Sequence, residues 1–227
     1  MAKPGDCVVF YSGGRSHLAW LAAREAGWRP AFFVYFDGGE THPGTFGDVS
    51  RASLMRLHAE LMGVRLEIFP SPKLPPGSRA YDMADILGII RSEAPFSALV
   101  TGNSACVGGR KKLEEVKAAC AANKLRAVLP LAGLTPAGLA AEAARLGCSF
   151  RQVAVPAGAP GAPGAECGPV PPAGRLSDPR SHVAVFGSPA FGGGRITPRG
   201  LKEIRFEGGR AAAFTPAVIR RARAGSR

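Results

Sequence analysis

A regular alternation of short apolar runs and helix-like segments constrains the fold more than any other feature of this sequence. The apolar runs lie at Cys7–Tyr11, Ala31–Phe36, Val64–Phe69, Ser97–Thr101 and Ala127–Leu131. Between these runs, apolar residues recur at helical spacing. Consecutive parallel strands need long crossover connections, which helices supply. The alternation therefore predicts an α/β fold, an open parallel Rossmann-like sheet with helices on both faces.

We expect the chain to divide into three parts. Residues 1–132 hold the strand–helix alternation, and residues 133–218 are predicted to form a smaller C-terminal α/β appendage. Thr135-Pro136 opens a helix in that appendage, with Thr135 as its cap. Residues 156–174 are rich in Pro, Gly and Ala, and we predict a flexible linker or surface loop there. Residues 219–227 are predicted to be a basic tail.

Composition narrows the compartment and the partners. No apolar run is long enough to cross a bilayer and no signal peptide precedes the first strand, so we predict a cytoplasmic protein without membrane contact. The five cysteines form no C-x-x-C pair, which argues against a disulfide framework, a zinc ribbon or an iron–sulfur cluster. The net charge of +12 favours polyanionic partners such as RNA or nucleotides, although Arg-rich usage explains it equally well.

The first apolar run ends in a glycine-rich turn, Ser12-Gly13-Gly14-Arg15-Ser16, that leads into a helix. Glycines permit positive φ angles and close approach of an anion, and a helix N-terminus attracts phosphate through its amides and dipole. The hydroxyl of Ser12 can donate to phosphate oxygens, and Arg15 can clamp them in bidentate fashion. A tight turn without a ligand is the alternative, which a short glycine motif alone would favour.

Residues after the fourth apolar run add further candidates, because ligands of open parallel sheets bind at the carboxyl ends of strands. Gly102 and Asn103 lie on this rim, where Asn103 supplies a hydrogen-bond donor. Arg110, Lys111 and Lys112 begin a predicted helix, where positive charge opposes the helix dipole. A nearby anion explains that placement, and a solvated helix face explains it as well.

Four other residues are weaker candidates. His17 is expected to be an exposed first-turn histidine rather than an acid–base group, because no carboxylate partner lies nearby in the sequence. Asp37 and Glu40 either hold magnesium or a ribose hydroxyl, or are solvated turn residues. Cys106 is a candidate nucleophile only by location, and an inert thiol is favoured. No side chain is assigned as a metal ligand.

These motifs resemble those of a known family. Val8–Leu21 resembles the pyrophosphatase loop, or PP-loop, Ser-Gly-Gly-Lys-Asp-Ser, of the N-type ATP pyrophosphatases. Leu99–Val116 and Ala127–Leu131 resemble the diphthine–ammonia ligase region that carries Gly-x-x-x-Ser-Asp-Tyr-Gln-Arg-x-Arg, a helix and a strand ending in Pro-Leu. His182–Phe191 resembles a late strand of that family. The resemblance runs in order along nearly the whole chain apart from the Pro/Gly-rich segment.

The resemblance implies a HUP-type fold and an AMP-forming amide ligase of diphthamide biosynthesis, with ATP and Mg²⁺ as cofactors. In that activity, ATP adenylates the carboxylate of diphthine on translation elongation factor two, and ammonia displaces AMP. The resemblance also implies two sets of site residues. Catalysis is assigned to Arg15 and Arg110, and nucleotide binding to Ser12, Gly13, Gly14, Arg15, Ser16, Gly102 and Asn103.

Differences from the family motifs leave two alternatives open. Arg15 stands where the family has lysine, and Ser16 and Val107 stand where it has aspartates. The first alternative is a catalytically weakened relative that binds a nucleotide or RNA. The second is an RNA-modifying member of the same superfamily, which the basic charge favours and the absence of paired cysteines limits to chemistry without a cluster.

Overall fold

The computed structural model describes residues 5–37, 49–70, 83–156, 163, 165–167, 182–206 and 209–220. Its helices are α1 (Arg15–Glu25), α2 (Val49–Met62), α3 (Met83–Glu93), α4 (Ala105–Ala122) and α5 (Pro136–Arg145). Its strands are β1 (Asp6–Phe10), β2 (Arg29–Asp37), β3 (Leu66–Pro70), β4 (Ala98–Val100), β5 (Arg126–Val128), β6 (Ser149–Pro156), β7 (His182–Gly187), β8 (Gly194–Phe206) and β9 (Gly209–Arg220).

The first five strands form a parallel sheet in the order β3-β2-β1-β4-β5. This arrangement confirms the predicted α/β class. The chain moves outward from β1 to β3 and then crosses back to place β4 on the other side of β1. The order of strands therefore switches between β1 and β4, and a crevice opens at such a switch point, outside the carboxyl ends of the strands.

Neighbouring residues of the central strands supply two separate apolar cores, because side chains alternate between the faces of a sheet. Val9 and Phe33 belong to the core that holds α1 and α2. Val8 and Phe32 belong to the core on the opposite face, which holds α3 and α4. Both faces of the sheet are therefore covered by helices, as the sequence predicts.

Local sequence sets the start of α5 and a kink within α4. Thr135 Oγ1 accepts a hydrogen bond from Gly138 N–H at 3.1 Å, and Pro136 occupies the first turn of α5, which confirms the predicted start of that helix. The residues of α4 before and after Gly109 are helical, but Gly109 itself has φ 72° and ψ 167°. That conformation is almost confined to glycine. It kinks α4 immediately before Arg110.

The last four strands form a second, antiparallel sheet in which β6 pairs with β7 and β9, and β8 also pairs with β7 and β9. Its apolar side chains, including Phe150, Val185, Phe191 and Phe214, are part of the same core as α1 and α2. The sequence predicts a strand near His182–Phe186, but not the long β8–β9 hairpin. The second sheet therefore packs directly against the helices that cover the first.

The segment predicted to be a linker, 156–174, lies largely outside the described residues. Within its described part, Glu166 forms an isolated antiparallel bridge with Arg151, and Cys167 N–H donates to Phe150 O at 3.0 Å. Cys167 is buried in the main core. The prediction of a flexible surface segment is therefore wrong for these residues, because a buried cysteine anchors them to β6.

Strand β9 extends to Arg220, into the part predicted to be a basic tail, and residues 221–227 lie outside the described residues. All five cysteines are free thiols, and four are buried. None of the helices in the described part of the chain has the length and apolar character needed to span a bilayer.

Candidate functional site

The site is a cleft at the switch point between β1 and β4. The polar residues that line it in the described part of the chain are Tyr11, Ser12, Arg15, Ser16, Tyr35, Thr101, Asn103 and Lys112. Its apolar wall includes Phe10, Val34, Phe36, Met83 and Val183. The cleft has a volume of about 250 Å³, close to the lower end of the roughly 300–1,000 Å³ of small-molecule pockets.

The residues from Ser12 to Ser16, called the glycine loop below, connect β1 to α1 with a conformation that needs glycine. Gly13 has φ +75°, and a Cβ atom there would lie 2.4 Å from Met55 Cε. At Gly14 a Cβ atom would lie 2.5 Å from the carbonyl oxygen of Val183. Both positions are therefore unfavourable for larger residues, Gly13 because of its left-handed backbone and Gly14 because of its close packing against the Val183 backbone.

The glycine loop brings the N-terminus of α1 to the cleft. The first amides of a helix have no partner within it, and they favour anions together with the helix dipole. At this helix start, His17 N–H donates to Gly14 O at 2.9 Å. The geometry therefore has the elements of a phosphate-binding helix start.

Gly102 after β4 packs against the start of α1. A Cβ atom at this position would lie 2.6 Å from Ser16 N and 2.7 Å from the Arg15 carbonyl carbon. Such contacts do not occur, so only glycine allows the two strand ends to approach this closely. Asn103 N–H donates to Thr101 Oγ1 at 3.4 Å. The structure thus brings Gly102 and Asn103 to the glycine loop.

The hydroxyl of Ser16 stabilises the glycine loop from within. Ser16 is almost fully buried, and its Oγ accepts a hydrogen bond from Ser12 N–H at 2.8 Å. The hydroxyls of Ser12 and Ser16 lie 3.3 Å apart. An acceptor at position 16 therefore ties the two ends of the loop together, a role that an aspartate carboxylate performs equally well.

The cations of the cleft are Arg15 and Lys112, and Arg110 does not line it. The sequence assigned a catalytic role to Arg110, but Arg110 lies exposed on α4 immediately after the kink at Gly109. Lys112 lies two residues further along and reaches the cleft, where its ammonium group also contacts Glu115 at 3.1 Å. A lysine at this position supplies a compact positive charge for a phosphate group.

The second sheet forms one wall of the cleft, a contribution that no local sequence signal indicates. Val185 N–H donates to Gly13 O at 2.8 Å, so β7 is hydrogen-bonded to the glycine loop. Val183, in the same strand, lines the cleft. Gly13 and Val185 are 172 residues apart in sequence, 185 minus 13, and only the packing of the two sheets brings them together.

A network of buried polar side chains lies beneath the glycine loop. Tyr11 Oη is 2.7 Å from His17 Nδ1 and 2.7 Å from His58 Nδ1, and His17 Nε2 is 2.8 Å from Ser188 Oγ. His17 was predicted to be exposed, and that prediction is wrong: it is completely buried. The prediction considered only carboxylate partners, whereas the actual partners are a phenol and a serine hydroxyl.

Burial sets the protonation of this network, because it penalises the charged form of each group. It lowers the pKa of His17 well below its ordinary value, and the neighbouring His58 lowers it further. Burial lowers the pKa of His58 to about 3, and the Val185 backbone partly opposes that shift. The pKa of Tyr11 is raised by burial and then by Cys148. At neutral pH both histidines are neutral and the phenol is protonated.

The remaining candidates lie apart from the cleft lining. Asp37 ends β2 and pairs with Pro70 in the ladder between β2 and β3. Glu40 lies outside the described residues. Cys106 is partly exposed near the start of α4, with its sulfur 3.3 Å from Ser104 Oγ.

The described residues of the cleft suit a nucleotide better than a magnesium ion. The amides, hydroxyls and two cations suit phosphate groups, and the apolar wall suits a base. Mg²⁺ is commonly held by one or two carboxylates together with substrate phosphates. No carboxylate lines the described part of the cleft, and no group of three metal-ligating side chains occurs among the described residues. These residues alone do not form a magnesium site.

Comparisons with known proteins do not show a family for this chain. No protein-family profile matches the chain, and no curated protein matches it. Among solved structures, the chain is similar to a crystal structure described as a predicted subunit of a tRNA methyltransferase from Methanocaldococcus jannaschii. The identity is 16%, the TM-score is 0.37, and the match covers 60% of this chain and 72% of the other. The functional argument therefore rests on the cleft.

Proposed function

We propose that this protein binds ATP in the cleft and uses it to adenylate a carboxylate, which ammonia then converts to an amide. The observation that carries the proposal is the convergence of the glycine loop, the start of α1, Gly102 and two cations on one cleft at the switch point. The resemblance of the loop and of residues 99–131 to diphthine–ammonia ligases supports the type of reaction.

The two sides of the cleft suggest how the nucleotide lies. The phosphates belong beside the glycine loop, where the amides at the start of α1 and the Arg15 side chain favour negative charge. The base belongs on the apolar side, near Phe10, Phe36 and Met83. Phe10 and Phe36 form an edge-to-face pair with centroids 5.1 Å apart, which gives this wall a rigid surface.

The proposed reaction has two steps. In the first, a carboxylate oxygen of the acceptor attacks the α-phosphorus of ATP, and the bond to pyrophosphate breaks. In the second, ammonia attacks the acyl carbon, AMP leaves, and ammonia loses a proton. Negative charge develops on the departing pyrophosphate, and Arg15 and Lys112 are placed to stabilise it. By resemblance, the acceptor is the diphthine side chain of translation elongation factor two.

A nucleotide-binding protein with weak or no turnover is the second candidate. Two observations favour it: Ser16 replaces an aspartate of the family motif, and no carboxylate lines the described part of the cleft. RNA contact is a further proposal, supported by the net charge of +12 and by Arg199 and Lys202, which are exposed on β8. In both cases the glycine loop remains the nucleotide site.

ATP–pyrophosphate exchange measured with diphthine-bearing elongation factor two tests the ligase against the binding protein. We expect exchange that depends on the acceptor, and AMP formation that depends on ammonia. Arg15→Ala is expected to slow AMP formation roughly 100-fold to 1,000-fold, the range for loss of one charge-stabilising donor. Arg110→Ala is the matched control and is expected to behave like the wild type. ATP binding without exchange or AMP formation would favour the binding protein, and equal rates for Arg15→Ala and wild type would exclude the loop from the mechanism.

A further inference from the structure

Tyr11, His17, His58 and Ser188 form a continuous hydrogen-bonded chain inside the protein. Each distance along the chain is 2.7 or 2.8 Å. Tyr11 and the two histidines are at most 2% exposed, and Ser188 is 8% exposed. Ser188 Oγ also accepts a hydrogen bond from Ala190 N–H at 3.2 Å. Buried polar groups need partners, because an unpaired one costs about 1–3 kcal/mol.

Each bond in this hydrogen-bonded chain needs one donor and one acceptor, which limits where its hydrogen atoms can lie. The Tyr11 hydroxyl has one hydrogen atom and contacts two imidazole nitrogens, so it donates to one histidine and accepts from the other. Because both histidines are neutral, they must present opposite tautomers to Tyr11. Removal of the Tyr11 hydroxyl leaves one imidazole N–H and one imidazole lone pair buried without partners. Tyr11 is therefore the centre of the chain.

The chain connects several of the elements that surround the glycine loop. Tyr11 immediately precedes the loop, and His17 lies in the first turn of α1. His58, from α2, lies beneath Gly13: a Cβ atom at Gly13 would be 3.3 Å from His58 Cε1. Ser188 follows β7, the strand whose Val185 N–H donates to Gly13 O. The chain thus fixes β7, α1 and α2 relative to one another around the loop.

We propose that Tyr11, His17 and His58 are positioning residues that hold the glycine loop in its anion-binding conformation and connect it to the second sheet. This inference rests on the proposed nucleotide site. Tyr11 borders the cleft, but its hydroxyl is hydrogen-bonded to the two histidines beneath the loop. Arg15 binds the phosphates directly, whereas the buried chain acts through the loop. The histidines are too deeply buried to transfer protons to a bound substrate, so their contribution is geometric.

The test compares Tyr11→Phe with Val116→Ala. Val116 is completely buried in the core on the opposite face of the parallel sheet, so its truncation destabilises the protein without touching the chain. We expect Tyr11→Phe to weaken binding of ATP and of inorganic pyrophosphate at least tenfold in calorimetric titrations, and Val116→Ala to bind both like the wild type. Equal affinities for Tyr11→Phe and wild type would overturn the inference.

A second pair of variants separates hydrogen bonding from packing. In His58→Asn, the side-chain amide keeps a polar group near the position of Nδ1, whereas His58→Leu supplies none. We expect His58→Asn to retain pyrophosphate affinity within about threefold and His58→Leu to lose at least tenfold. If both variants lost affinity equally, the volume of the ring rather than its hydrogen bond would matter, and the inference would be wrong.

Amide hydrogen exchange tests this inference independently of the proposed function. If the wild type binds neither ATP nor pyrophosphate, the proposed nucleotide site fails, but loop order in the free protein still tests the buried chain. Exchange at Gly13 and Gly14 is expected to be at least tenfold faster in Tyr11→Phe than in Val116→Ala. Equal exchange in the two variants would show that the chain does not order the loop.

Discussion

At the scale of single residues, the hydroxyl of Ser16, which stands where the motif that the loop resembles has an aspartate, ties the two ends of the glycine loop together. Ser16 Oγ accepts the Ser12 N–H and is almost completely buried. An aspartate at this position retains an acceptor for that bond and adds a negative charge. The replacement therefore preserves the shape of the loop while it removes a charge from the cleft.

Substitutions at Ser16 separate these two contributions. Ser16→Ala leaves the Ser12 amide without its partner and is expected to lower ATP affinity about tenfold, the equivalent of about 1.4 kcal/mol. Ser16→Asp keeps an acceptor and is expected to raise the rate of AMP formation if the protein is a weakened ligase. Calorimetry and single-turnover AMP assays check both, with circular dichroism to establish folding. Unchanged affinity in Ser16→Ala would show that the loop holds its shape without this bond.

Burial of His58 predicts a specific pH dependence of stability. The unfolded chain protonates this imidazole near pH 6.5, whereas the folded protein does so only at about pH 3. Between these values the unfolded state binds more protons, so the free energy of unfolding decreases as the pH falls. His17 contributes with the same sign. The stabilisation is complete above about pH 6.5 and is lost progressively toward about pH 3.

Urea unfolding at about pH 7 and about pH 5 measures this effect. The wild type is expected to lose more stability between the two conditions than His58→Asn, which has no imidazole to protonate at this position. The comparison cancels the contributions of other titrating groups. An identical loss in the two proteins would mean that His58 titrates normally in the folded state.

The residues of the site differ in how far sequence alone could place them. Ser12, Gly14, Arg15 and Ser16 lie together because they belong to one stretch of five residues, and the position of Gly102 follows from the rule that strand ends meet at one edge. His17 and Ser188 are 171 positions apart, and their contact depends on how the second sheet packs. No local pattern carries that information, so the buried chain could not be predicted.

At the scale of elements, α4 shows how one glycine changes which cation reaches the cleft. The sequence indicates a helix that starts near Lys111, whereas α4 begins at Ala105 and kinks at Gly109. The resemblance to the family motif assigns a catalytic role to Arg110, which directly follows the kink and is exposed. The kink changes the phase, and Lys112 lines the cleft instead.

Gly109→Ala tests this role of the kink. Alanine pays a strain of about 1–3 kcal/mol in the conformation that Gly109 adopts, although open space surrounds its Cβ position. We expect a loss of stability in that range and a weaker ATP affinity, because Lys112 moves. Gly133→Ala is the matched control, since its Cβ position is equally open and its φ is not in the left-handed region. Equal urea midpoints for the two variants would show that alanine adopts the Gly109 conformation without strain.

The parallel sheet follows from the sequence more directly than the second sheet does. Its strands are short buried runs that alternate with helices. Each strand pairs with at least one strand that directly precedes or follows it in sequence order. The β8–β9 hairpin contains Pro198, Gly200 and several cations, and its register shifts between Arg199 and Lys202. These features interrupt the regular alternation by which antiparallel strands are recognised.

At the scale of the whole molecule, α1 lies between the two sheets and is buried on almost every side. Trp20 packs against Phe33 of the parallel sheet with ring centroids 5.9 Å apart, and His17 packs against Phe191 beside the second sheet at 5.4 Å. A helix enclosed in this way is held rigidly at its N-terminus. The arrangement therefore makes the second sheet part of the wall of the cleft.

The central claim is that the glycine loop and the cations beside it form a nucleotide site. Calorimetric titration of ATP into wild type, Arg15→Ala, Lys112→Ala and Arg110→Ala tests this claim most directly. We predict a wild-type Kd between micromolar and millimolar, about −8 to −4 kcal/mol, weakened at least tenfold by Arg15→Ala and Lys112→Ala and unchanged by Arg110→Ala. The absence of binding heat with wild type, or equal affinities for wild type and Arg15→Ala, would contradict the account.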